Sequence, residues 1–588
     1  MTDLWTLSRR LTGCARSGAL LLPLAMVACG AQSLTDPRLA GLTDSGVVVA
    51  PERPLNSALG DYLAGNFALD HGRLSEAADF FERALSAAPD DLDLQRQLYL
   101  LTLASGRYDE ALEQATALTE HDPEADEAFL LLAAEQARKG DYAAARAPLQ
   151  ALGLDGIAGL TAPFIDAWAV FGEGGGTEGA LARLEEGESL GPLNGYHAAM
   201  MLDLGGRLDE AAAVLGDAMP ASGPAPVRIV QAYASILARH GERARAIELV
   251  RDQLADGREL PILVDLLAAL EAGGEPPPPF TDAPGGMADA LLGIAEALHQ
   301  ERGTARSIVY ARLALFLQPD LAEAALLIAD ILAEQDNLEG AIAAYDAIGD
   351  ASPLAEAAKL RMARALHTLE RREEAFALLD ALAAAEPERT EALVQLGDLA
   401  RRDEEYERAE EAYSAALARI PAPQREHWTL YYARGITYER TKRWPQAEAD
   451  FLRALELEPE QPYVLNYLGY SWVDQGMNLD RAQAMLNRAV ELRPNDGYVV
   501  DSLGWVYYRL GEYQDAVEQL ERAVELEPGD PVINEHLGDA YWRVGREREA
   551  RFQWRRALSL EPEADAVVGI EEKLEIGLPE RAPERGRT

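Results

Sequence analysis

Proline returns at positions 319, 353, 387 and 421, 34 residues apart each time, and again at 459, 494, 528 and 562. A chain punctuated at an interval of this size builds one supersecondary unit many times over and stacks the copies, because a single unit cannot bury its own apolar face. The interior of the interval repeats as well. Leu537, Gly538, Tyr541, Ala550, Trp554 and Ala557 stand where Leu503, Gly504, Tyr507, Ala516, Leu520 and Ala523 stand one unit earlier, and Gly435, Tyr438, Ala447, Phe451 and Ala454 follow the same spacing further back. A small residue on the first helix of each pair (Gly435, Gly469, Gly504, Gly538) lets the second helix approach, and a small residue on the second (Ala447, Ala482, Ala516, Ala550) completes the contact. The large residues Phe451, Leu486, Leu520 and Trp554 are expected to fill the space between neighbouring hairpins, and each proline, lacking an N–H, ends a second helix. Asp496 and Asp530 stand where a carboxylate can cap the next first helix.

Period and signature positions together resemble the tetratricopeptide repeat. That resemblance implies an all-α fold, a solenoid of helical hairpins wound into a superhelix. The same grammar opens the chain, with Gly65, Ala77, Phe81, Ala84 and Pro89, then Ala111, Leu118 and Pro123, and it persists more loosely from 125 to 275. Gly273, Gly274 and Glu275, followed by the prolines 276 to 279, interrupt it with a stiff, extended stretch. The organisation expected is a degenerate N-terminal array over 57–272, a Pro/Gly-rich linker over 273–286, a C-terminal array over 287–563, and a capping helix with a disordered tail from Leu578 over 564–588. The period count gives about 14 hairpins.

Charge excludes one large class of partner. With 54 Lys plus Arg against 99 Asp plus Glu, the net charge of -45 repels phosphate backbones, so no nucleic-acid partner is expected and the partners should be neutral or basic. An apolar content of 48 % that follows helical spacing marks a folded chain rather than an acidic disordered one. Only Cys14 and Cys29 are present, so the body has no thiol chemistry. Arg9, Arg10 and Arg16 precede an apolar run from Ala19 to Ala28, which reads as a signal peptide over 1–28. Met26-Val27-Ala28-Cys29 resembles the bacterial lipobox, which implies diacylation of Cys29 and a stable lipid anchor. In that family the residue after the cysteine directs sorting, and Gly30 in place of Asp implies the outer membrane, periplasmic face. Residues 29–56, rich in Ser, Thr, Pro and Gly, then serve as a flexible tether.

Catalytic signatures are missing from the sequence. Gly174, Gly176 and Gly179 spell a G-x-G-x-x-G without a preceding strand and read as the turn of a helix hairpin. The eight histidines have no metal-ligand spacing, and the paired carboxylates lie on solvated helix faces, so neither enzyme activity, cofactor nor metal is expected. In a tetratricopeptide superhelix the second, fifth, ninth, twelfth and thirteenth positions of each unit line the concave groove. Here those positions hold Tyr463, Asn466, Tyr470, Val473 and Asp474; Tyr498, Asp501, Trp505, Tyr508 and Arg509; and Val532, Glu535, Asp539, Trp542 and Arg543. Trp, Tyr and Arg supply most binding hot spots, so the groove is a candidate protein-binding surface, with Tyr463, Asn466, Tyr470, Tyr498, Asp501, Trp505, Tyr508, Arg509, Asp539, Trp542 and Arg543 as its eleven binding residues; equally, aromatics at helical spacing pack between helices. The run from Leu465 to Tyr470, that from Asp501 to Gly511, and His536 to Trp542 with Trp554-Arg555 resemble a C-terminal block of envelope tetratricopeptide lipoproteins of Gram-negative bacteria. Among these is the outer-membrane lipoprotein adaptor of a periplasmic carboxyl-terminal processing protease. That resemblance implies a non-catalytic scaffold that brings the protease to peptidoglycan (cell-wall) hydrolases. The alternative reading is a structural lipoprotein of an outer-membrane secretion or assembly machine for polysaccharide or pilus.

Overall fold

The computed structural model describes residues 58–152, 156–186, 191–219, 225–255 and 260–579. The lipobox with Cys29, the signal peptide and the tether lie outside the described residues, as does the tail from 580. Among the described residues there are 30 α-helices, one short 3-10 helix and no strand. Twenty-eight of the helices pair into fourteen consecutive hairpins; the other two are Pro261–Glu271 and the final helix Ala564–Ile576. The chain divides into two compact units, one ending at Ala375 and the other beginning at Phe376.

Close approach within each hairpin follows from glycine. A Cβ on Gly435 would stand 2.6 Å from the Phe451 ring, one on Gly504 2.6 Å from Leu520, and one on Gly538 2.5 Å from the Trp554 indole. The large residue therefore lies directly over the glycine of its own hairpin. It also reaches outward, since the Phe451 ring is 5.2 Å from that of Tyr467 in the following hairpin. The turn inside each hairpin needs one left-handed residue. Arg302, Asp336, Glu370 and Glu404 take it at 34-residue steps, and Gly476, Gly511 and Gly545 take it later. Carboxylate caps form where the sequence puts them: Asp496 accepts from the Val499 N–H at 3.2 Å, and Asp530 from Val532 and Ile533 at 2.8 and 2.9 Å.

The first unit is more than a row of hairpins. Six hairpins run from Ala58 to Leu254, and after helix Pro261–Glu271 the proline segment carries the chain back across them. The Ser235 hydroxyl donates to the Pro276 and Pro277 carbonyls at 2.8 and 2.9 Å, Arg243 donates to the Gly274 carbonyl, and Phe280 is buried edge-on to Trp168. The stretch 273–286 expected as a linker between arrays thus lies within the first unit, and the next helix, Ala283–Gln300, begins inside it. That helix and its partner Thr304–Leu317 pack against the first helices of four hairpins, Leu92–Ala104, Asp126–Arg138, Gly156–Gly172 and Pro192–Leu204. The Arg312 guanidinium donates to the Ala104 carbonyl, Tyr108 donates to the Arg312 carbonyl, and Gly286 lies flat on the Trp168 ring. Residues 307 to 311 are buried without interruption, so every face of that helix is covered, as an all-round apolar sequence requires.

The second unit carries the hairpins Glu391–Ala418, Trp428–Leu457, Pro462–Leu492, Gly497–Leu526 and Pro531–Ser559, and helix Ala564–Ile576 covers the last of them through buried Ile570. The disorder expected from Leu578 onward is corrected for its first two residues. Leu578 packs against the apolar cluster around Trp554, and the Arg543 guanidinium donates to the Pro579 carbonyl at 2.8 Å.

Candidate functional site

Helices Pro462–Asp474, Gly497–Leu510 and Pro531–Arg543 are successive first helices, and they carry all eleven groove residues expected from the sequence. At the centre three rings stack: Trp505 lies 4.7 Å from Tyr508 and 3.9 Å from His536, nearly parallel to both. Asp501 is buried and accepts from His536 Nδ1 at 3.0 Å, tying the middle helix to the next one. Burial alone would oppose a charge on His536, but the Asp501 carboxylate prevails and raises the imidazole above its ordinary value. Arg543 donates to the Tyr508 hydroxyl at 3.3 Å, and Arg509 donates to the Asp474 carboxylate at 2.9 Å. Asp539 is buried between the Trp554 indole N–H and the Lys573 ammonium, both at 2.8 Å; burial raises its carboxyl against the pull of the lysine. Trp542 packs on Trp554 at 5.4 Å, under Arg551, and the backbone of Gly577 covers its ring so closely that a Cβ there would collide.

These contacts divide the residues into two sets. Asp501, Trp505, Tyr508, Asp539, Trp542 and Arg543 are engaged with neighbouring helices or the tail. Tyr470 is half-buried, and Asn466 keeps a buried Oδ1 without a hydrogen bond. Tyr463 and Tyr498 are 39 and 56 % exposed, Tyr463 with the Arg493 guanidinium over its ring, and Arg509 is exposed near the far end of the middle helix. Val532, 49 % exposed, occupies the same second position of the next repeat, so one apolar residue per hairpin forms a line over three repeats. Sequence reasoning placed Val532 on the face but left it out of the binding set, although its register with Tyr463 and Tyr498 was the signal that joins the three.

On the equivalent first-helix side of the first unit, the chain's own hairpin Ala283–Leu317 is seated. Its polar end leaves a cavity of about 910 Å³ bounded by Arg228, Asp289, Glu296 and the loops before Ala322 and Ala355. Arg228 donates to Glu296 at 2.6 Å and lies 3.5 Å from Asp289. Burial pushes the Asp289 carboxyl up to about 6 and holds the neighbouring His197 imidazole down at about 3, so the histidine is neutral. Gly174 and Gly176 have positive φ and form the turn between helices Gly156–Gly172 and Gly176–Glu186, as read from the sequence. Among the described residues no group of three or more His, Cys, Asp or Glu is arranged to hold a metal, and no helix is long and apolar enough to cross a membrane.

Family models agree with the repeat reading in both units. Two described as tetratricopeptide repeat match residues 53–91, 100–155 and 360–425, and residues 428–461; a third, described as TPR repeat, matches 504–545. No curated protein matches the chain significantly. Solved structures that resemble it include a tetratricopeptide repeat protein from Parabacteroides merdae, 18 % identical, with 43 % of this chain and 97 % of that one covered at a TM-score of 0.35. The Cut9–Hcn1 component of the APC/C is 15 % identical over 89 % of this chain and 97 % of that one, with a TM-score of 0.36. Yeast Tom70 is 15 % identical over 88 and 95 %, with a TM-score of 0.29. At such scores the superpositions add nothing to what the repeats establish.

Proposed function

We propose, for a chain that carries tetratricopeptide repeats in each of its two units, a role as a protein-binding scaffold whose contact face is the line of first helices from Tyr463 to Val532. The line of exposed Tyr463, Tyr498 and Val532 is the observation that supports this reading. Exposed tyrosines contribute large contact area at low entropic cost, and a single apolar residue per repeat suits an extended segment laid across several hairpins. The rings further along the same helices are fixed by stacking and by the His536–Asp501 contact, so the helices are held in place before a partner arrives and lose little freedom on binding.

Met26-Val27-Ala28-Cys29 favours a lipid anchor, and Gly30 after the cysteine supports a reading in which the scaffold sits at the outer membrane, facing the periplasm. By the resemblance of the C-terminal block, the bound proteins are a carboxyl-terminal processing protease and the cell-wall hydrolases it degrades. Affinity capture of the tagged, lipidated protein from mildly crosslinked envelopes, read by mass spectrometry against an untagged control, tests this. Recovery of such a protease with hydrolases is the expected result; recovery of a secretion channel with pilus or polysaccharide machinery instead would overturn the adaptor reading.

A further inference from the structure

The second helices of the second unit change sign between its last two hairpins. Helix Tyr513–Leu526 carries four acidic residues to one arginine, and helix Glu547–Ser559 carries four arginines to two glutamates. The earlier second helices Tyr406–Ala418, Trp444–Leu457 and Leu479–Leu492 have at least as many acids as arginines, so the basic helix is an exception in a chain of net charge -45. The acidic and basic helices are neighbours, since Arg546, just before the later one, donates to Glu521 of the earlier at 2.8 Å. On other second helices Arg453 and Arg488 are held by Glu456 and Glu491. Arg548, Arg555 and Arg556, by contrast, are exposed and have no ion pair or side-chain hydrogen bond among the described residues, and the same is true of Asp515, Glu518 and Glu525. Phe552, 65 % exposed, stands three or four residues from each of those arginines and so on their face of the helix. Asp515, Glu518 and Glu525, at steps of three and seven, share one face of theirs.

Two adjacent patches, each the complement of the other, fit a second copy of the same surface. A two-fold axis parallel to the helices and midway between them sets each basic helix on the other copy's acidic helix, so one closed contact satisfies both sets of charges. Phe552 follows Glu518 by one period of 34 residues and lies at the same level of its hairpin. In that contact it meets Arg522 of the other copy, one turn from Glu518, and a guanidinium stacks favourably on such a ring. The net charge of each copy is screened over about 8 Å at physiological ionic strength, so the charges at the contact decide the outcome. Two helices about 20 Å long and about 10 Å apart cover about 400 Å² per copy, half of the about 800 Å² usual in stable complexes, so the pairing is a weak and reversible one.

We propose that helices Tyr513–Leu526 and Glu547–Ser559 form a self-complementary surface through which two copies of the chain associate, the unpaired arginines of each copy meeting the unpaired acids of the other around Phe552. This surface does not use the first-helix face assigned to protein partners above. Sedimentation equilibrium of the full-length protein in a non-ionic detergent, with micelles in excess over protein, tests it. The wild type should show a reversible monomer–dimer equilibrium. Arg548→Glu with Arg555→Glu and Arg556→Glu should weaken it about tenfold or more, as should Asp515→Lys with Glu518→Lys and Glu525→Lys, each with unchanged circular dichroism. Mixing the two variants should restore the dimer, because one then presents two acidic faces and the other two basic ones. A monomer at every concentration, association untouched by either set, loss with one set only, or variants that stay apart when mixed would overturn the proposal.

Discussion

At the residue scale, glycine sets the geometry and the neighbouring large side chain fills it. A methyl group at Gly538 would enter the Trp554 ring, and an overfilled contact of this kind costs about 1–3 kcal/mol. Gly569, in the exposed final helix, has nothing within 4 Å of its missing Cβ. Gly538→Ala should therefore lower the urea midpoint while Gly569→Ala raises it, by about 0.5–1 kcal/mol for the better helix former. His536 gives a second prediction. Its folded-state value lies above the unfolded one, so its protonation stabilises the fold fully below about pH 6.5 and that contribution disappears as pH rises through the raised value. Denaturation midpoints of the wild type and His536→Gln, compared from about pH 6 to about pH 9, should converge as pH rises; a constant gap would mean the imidazole is not charged against Asp501. Both the glycines and the caps Asp496 and Asp530 were legible from spacing alone, because each is a local contact within one hairpin or at its start. The Asp501–His536 pair, 35 residues apart, was not, since the sequence shows neither residue as unusual.

At the scale of elements, the hairpin Ala283–Leu317 is where local pattern and tertiary placement part. Its repeat signature made it read as the first member of the C-terminal array, and the prolines before it as a boundary. A chain without an N–H at four successive positions still offers its carbonyls, and Ser235 takes two of them, so the stretch becomes a strap against the first unit. The legible sign was the unbroken apolar run from Ile308 to Ala311 and from Leu313 to Leu317, which an outer hairpin would leave partly in water. Hydrogen exchange checks this directly: amides of 283–317 should be among the most slowly exchanging in the first unit, with the outer helix Tyr108–Thr119 faster. Exchange of 304–317 at the rate of the outer helices would contradict the packing. The last element behaves as a cap, and its extension is held too, because Gly577 lies on Trp542 and Arg543 holds Pro579. Removing 564–588 should expose Trp542, red-shift the tryptophan fluorescence and lower stability, as loss of a solenoid cap does.

Across the whole molecule, repetition assigns different tasks to similar hairpins. The first unit covers part of its first-helix side with its own chain, while in the second unit Tyr463, Tyr498 and Val532 stay exposed although Trp505 and Trp542 on the same series of helices are packed. The sequence reading grouped all of these as one aromatic groove by their repeat positions. It could not separate packed rings from open ones, because stacking on His536 and covering by Gly577 are set by residues far along the chain. Tyr463 and Tyr498 are consequently the substitutions that address binding without disturbing the fold. The direct measurement is the affinity of the protein recovered by envelope capture for wild type and for Tyr463→Ala with Tyr498→Ala, alongside circular dichroism. A loss of about 2 kcal/mol or more in affinity with unchanged helicity is the outcome predicted; undiminished affinity in the double variant would contradict the assignment of this face as the protein-binding surface.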